Sequence, residues 1–123
     1  MKRTSARELA FKTIYSKFFN AEETDELENV DGEGLEFTTK ILKSFAKNYD
    51  QIQEIISSHL KGYTIERLYK IDLAIITLAV IELNFIKENP KEVIINEAVE
   101  LAKKYSTEKS PRFINGVLAD IVK

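Results

Sequence analysis

From Ile71 to Ile86 the chain carries only two charged residues, Asp72 and Glu82. A membrane span needs about 20 apolar residues. This run is shorter and holds two carboxylates, so it reads as a buried central helix with other helices around it.

The rest of the chain supplies those other helices. Phe11, Ile14, Tyr15 and Phe18 stand at the spacing of one helix face. Phe37, Ile41 and Phe45 form a second stripe, and Ile52, Ile55, Ile56 and Leu60 a third. Ile94, Ala98, Leu101 and Ala102 follow, and Ile114, Val117, Leu118 and Ile121 close the chain. Breaks fall between the stripes. Residues 20–34 read as an acidic loop, and Gly62 follows the third stripe. Thr64 is placed to cap a short helix through Tyr69. Pro90 and Pro111 open the last two helices, the latter behind a Ser110 cap. Strict apolar–polar alternation occurs nowhere. The predicted fold class is all-α.

At 123 residues the chain suits a single domain, residues 1–123. Hydrophobic residues make up 44% and charged residues 31%, enough for a packed core. With no cysteine, disulfides and thiolate metal sites are excluded, and a lone histidine, His59, excludes a site built on two imidazoles. The start lacks the apolar run of a signal peptide, which suits a cytoplasmic protein. Glycine-rich phosphate loops, nucleophile elbows and zinc-protease motifs are missing, so a binding role is expected, with no catalytic residue, cofactor or metal. His59 reads as structural. Glu97 and Glu100 read as surface acids paired with Lys103 and Lys104.

The net charge of −2 conceals two opposite local fields. Lys2, Arg3, Arg7, Lys12 and Lys17 crowd the start against Glu8 alone, whereas residues 21–36 hold eight acids and no base. Stepping back from Phe11 by four and four reaches Arg7 and then Arg3. The line that is apolar in the core thus becomes basic at the helix start, where the dipole opposes positive charge. Phosphate binding is one reason for such a placement. A second candidate lies in the first turn of the last helix, where Arg112 precedes Phe113. A cation beside a partly exposed ring can hold a phosphate while the ring stacks an unpaired base. Gly116, in mid-helix, suggests close approach of another helix.

Longer motifs then become recognisable. The stretch Val93-Ile94-Ile95-Asn96-Glu97-Ala98-Val99-Glu100-Leu101-Ala102-Lys103-Lys104-Tyr105 resembles the penultimate helix of the NusB family of bacterial transcription antitermination proteins. Ser106 to Leu118, with Phe113 ahead of Asn115-Gly116-Val117-Leu118, resembles the family's terminal signature. Ala6-Arg7-Glu8-Leu9-Ala10, followed by Tyr15, is similar to its opening helix.

The resemblance implies two packed helical bundles with about seven helices. It implies binding of boxA-type single-stranded RNA in nascent ribosomal RNA transcripts. The implied partner is NusE, which doubles as a small-subunit ribosomal protein, and the pair would work in an antitermination complex with RNA polymerase. Matched position by position, Lys2, Arg3 and Arg7 correspond to the basic N-terminal contact region and Tyr15 to an aromatic near it. Asp72 corresponds to an acidic position where the RNA surface meets the bundle, and Phe113, with Arg112, to the base-stacking aromatic. Thr4 and Ser5 thin the arginine cluster common in the family, and Thr77 stands where many members carry arginine. Three other roles compete: a homodimerising protein-binding module, the RNA-guiding domain of an rRNA methyltransferase, and, more remotely, a helix-turn-helix DNA reader.

Overall fold

The computed structural model describes residues 3–19 and 32–123. Among these, six α-helices follow in order: α1 (Arg3–Lys17), α2 (Gly32–Lys47), α3 (Tyr49–Ser58), α4 (Lys70–Ile81), α5 (Lys91–Tyr105) and α6 (Ser110–Ile121). No strand occurs among the described residues. A 3-10 turn, Ile65–Arg67, precedes α4, and a π-helical turn, Glu82–Ile86, extends it. With those two turns, the architecture matches the expected seven or so helices. Lys2 and most of the predicted acidic loop lie outside the described residues. α2 starts at Gly32, inside the segment read as loop.

The uncharged run behaves as its composition requires. Every residue of α4 from Asp72 to Ile81 is buried. α4 packs against α1, α2 and α3 on one side and against α5 and α6 on the other, which gives the two-bundle arrangement. All six helices contribute to one cluster of buried apolar side chains, including Ile14, Ile41, Ile56, Ile75, Ile94 and Leu118. Burying a residue of that size contributes about 1.5–3 kcal/mol, so the stripes supply the main cohesion. No described helix is long and apolar enough to cross a membrane.

Two connections shape the surface. Gly62 has φ 77°, a conformation that glycine reaches without a steric penalty, and the chain turns there after α3. The short helix expected through Tyr69 stops at Arg67, because Leu68 and Tyr69 take extended backbone angles. Thr64 stands at its cap position but makes no side-chain cap bond. After α4 the backbone widens into the π turn, closed by the Lys87 N–H donating to the Glu82 carbonyl at 2.9 Å. Lys87 then ends the helix in the left-handed conformation, φ 55°.

Candidate nucleic-acid interface

The two carboxylates of the central run lie at opposite ends of α4. Ten residues separate them, about 15 Å along the axis at 1.5 Å per residue. Each is buried, and each organises a different part of the surface.

At the far end, Glu82 meets Arg7. Arg7 is only 3% exposed. Its Nε donates to Glu82 Oε2 at 2.7 Å and its Nη2 to Glu82 Oε1 at 3.0 Å, a bidentate pair. Nη1 lies 3.7 Å from Glu97, which also accepts a 2.9 Å bond from the Thr4 hydroxyl. The Asn89 amide reaches Glu82 Oε1 at 3.5 Å. Arg7 therefore does not add to a basic surface at the helix start, as the sequence suggested; its guanidinium is inside and fully engaged. Glu97 is likewise no plain surface acid, since it faces α1. Of the acid–base pairs expected along α5, Lys103–Glu100 forms at 3.3 Å, whereas Lys104 turns to Glu8 at 3.0 Å.

Arg3 remains on the surface beside this network. Its Nη2 donates to Glu88 at 2.9 Å, and its guanidinium carbon sits 4.6 Å from the centre of the Phe37 ring. Lys40 also donates to Glu88, at 2.8 Å. The Lys40 ammonium, with Arg3 assisting, holds the Glu88 carboxyl below its ordinary range, and Glu88 in return raises Lys40. Thr77 is buried in α4, so it offers no surface for nucleic acid.

At the near end, Asp72 is 7% exposed. Its two oxygens accept from Ser106 Oγ at 2.5 Å and Ser110 Oγ at 3.0 Å. Ser110 also accepts from the Thr107 N–H at 3.3 Å. The residue expected to cap α6 is thus its buried first residue, bonded to α4. Asp72 fixes the α5–α6 corner, and that corner presents Arg112 and Phe113.

Around this corner the structure gathers rings and cations from distant parts of the sequence. Phe113 is half-buried, and Tyr63 packs on it edge-to-face, centroids 5.7 Å apart and planes at 67°. Tyr63 is 56% exposed and Tyr69 54%. One groove runs past Tyr63, Arg67, Tyr69, Lys109 and Phe113, with Asp72 at its floor. A larger one, about 420 Å³, runs past Lys61, Tyr63, Arg112, Phe113 and Gly116. Lys61, Arg67, Lys109 and Arg112 make no ion pair with any described residue. Gly116 lines the second groove, and a Cβ placed there would meet nothing within 4 Å. The expected close helix approach is absent; the glycine leaves a groove wall low.

Asp72, Arg112 and Phe113 thus come together, while Arg3 and Arg7 lie at the other end of α4. Tyr15 belongs to an aromatic row that runs along α1 into the turn after it, 6.4 Å from Phe11 and 5.1 Å from Phe19. Tyr63, Arg67 and Tyr69 escaped the sequence reading. His59 Nδ1 donates to the Ile55 carbonyl at 2.7 Å, and the ring lines the groove beside Lys61. No metal-holding cluster of acids and imidazoles occurs among the described residues.

Exposed rings interleaved with unpaired cations form a surface suited to single-stranded nucleic acid. The molecule is, by class, an all-helical protein with such a face. The chain belongs to the NusB family, whose profile matches residues 4–123. It is 38% identical over 130 residues to the transcription antitermination protein NusB of Finegoldia magna, covering 100% of this chain and 95% of that one. Among solved structures, T. maritima NusB superposes with a TM-score of 0.89 at 32% identity, over 98% of this chain and 90% of that one. A NusB solved with NusE and double-stranded RNA superposes with a TM-score of 0.85 at 31% identity, over 97% and 94% of the two chains.

Proposed function

We propose that the chain is a transcription antitermination factor that binds boxA-type single-stranded RNA of nascent ribosomal RNA transcripts together with NusE. It acts as one domain over residues 1–123, in the cytoplasm, within a complex with RNA polymerase. The role is recognition, with no chemical step and no cofactor.

The observation that carries this reading is the face at the start of α6. Phe113 is half-buried beside Arg112, which has no acidic partner among the described residues, and Asp72 holds both in place through Ser106 and Ser110. Phe113 stacks a splayed base and Arg112 neutralises its phosphate. Arg3 adds a cation at the other end of α4, with Tyr15 on the same helix; Lys2, outside the described residues, is assigned to RNA contact by the family likeness alone. Arg7 and Asp72 are positioning residues: each acts through the groups it holds. The family likeness supports the assignment over its full matched length.

The test is binding of a short boxA-type RNA across a salt series, with and without NusE. Phe113→Ala should weaken binding about tenfold, the loss of one stacked base, with the salt dependence unchanged. Arg112→Ala should lower the slope of log K against log salt by about one. A chain that binds no such RNA even with NusE at low salt is not this factor, and a purely protein-binding module would take its place.

A further inference from the structure

We propose that Tyr63 is a second base-stacking residue, so that an RNA strand crosses the molecule over the Tyr63–Phe113 ring pair with its phosphates on Lys61 and Arg112. The proposal deepens the RNA-binding reading above and rests on it.

Tyr63 is the more open of the two rings, with 56% of its surface in water. A large aromatic left exposed is the informative case among surface residues. Its contact with Phe113 is edge-to-face at 5.7 Å, which orders the side chain without covering both ring faces. A ring ordered in advance loses less freedom when a base settles on it.

The surroundings match a strand in charge as well as shape. Both grooves share Tyr63 and Phe113, so they meet at the ring pair. Arg67 and Lys109 line one side of the pair, and Lys61 and Arg112 the other. The acids that border this path are accounted for. Asp72 is bonded to Ser106 and Ser110, and Asp120 lies 4.0 Å from Lys123. Glu66 and Glu108 stand exposed on neighbouring turns and leave the cations in the majority. Gly116 keeps the groove beside Arg112 free of a side chain.

The chain has no tryptophan, so Tyr63→Trp installs a sole indole at the proposed contact. Titration with a short single-stranded RNA should quench its fluorescence at the concentrations where a labelled copy of that RNA becomes bound. Tyr63→Ala should weaken binding about tenfold with an unchanged salt slope, and Tyr63→Phe should restore it. Lys61→Ala should reduce the salt slope by about one. If Phe113→Ala weakens binding but Tyr63→Ala does not, and the indole is not quenched, the strand does not cross Tyr63; RNA binding then stands and this inference falls. If wild type binds no RNA, the underlying reading fails as well. Thermal melts of the variants separate a lost contact from a lost fold.

Discussion

The two ends of α4 hold the same kind of group by opposite means. At the Glu82 end a buried carboxylate is neutralised by a buried cation, Arg7, in a bidentate pair. At the Asp72 end the carboxylate is met by two serine hydroxyls. The first arrangement knits α1 to the end of α4 and leaves little surface open. The second fixes the corner between α5 and α6, and both grooves open beside it. A buried ion pair closes a seam. A hydroxyl-bonded carboxylate sets a corner and leaves neighbouring cations free for a ligand.

Breaking the first arrangement should have the largest effect. Arg7→Ala strands the Glu82 carboxylate in the core and should destabilise the protein by about 3–5 kcal/mol, read in denaturant unfolding. The double variant Arg7→Met with Glu82→Leu should recover most of that loss, since removing both charges removes the desolvation penalty with them. Failure to recover would mean that the pair does more than satisfy itself.

The Asp72 end should respond less. Asp72→Ala removes two hydrogen bonds but leaves no charge behind, because the serines are neutral and their hydroxyls, 2.8 Å apart, can then bond to each other. The expected loss is about 2 kcal/mol by the same measurement. A loss as large as that of Arg7→Ala would erase the distinction between the two ends.

The smallest effect should come from acid, and it falls next to the Asp72 corner. Tyr105, adjacent to Ser106, donates its hydroxyl to Glu8 in a short bond, and Lys104 donates to the same carboxylate at 3.0 Å. Burial pushes the Glu8 carboxyl up, but Tyr105 and Lys104 outweigh it and leave Glu8 below its ordinary value of 4.5. A lowered folded pKa contributes stability that is fully present above that value and lost as pH falls through the folded one. The stability difference between wild type and Glu8→Gln should therefore stay constant from neutral pH to about 5 and shrink in stronger acid. A difference that grows on acidification would overturn the assignment.

The helices were legible because each carries its own apolar stripe, and α4 because its run allows no solvent face. The candidate C-terminal site was legible too: Arg112 and Phe113 are marked locally by Pro111 and by their place in the first turn. Arg7 was visible but misread. It continues the Phe11 stripe, and a residue on that stripe points inward; its partner, though, lies 75 positions away. The clue was present in the two carboxylates of an otherwise uncharged run, each of which needed a buried partner. Tyr63, Arg67 and Tyr69 sit in a connection with no periodicity. Only the turn at Gly62 and the packing on α6 reveal what they share.

The seam at Glu82 also has a thermal consequence. The penalty for removing charges from water falls as temperature rises, whereas the gain per unit of buried apolar surface levels off. Heat therefore shifts the balance of cohesion toward the Arg7–Glu82 pair and away from the apolar stripes. A warm molecule is held together relatively more at the closed end of α4.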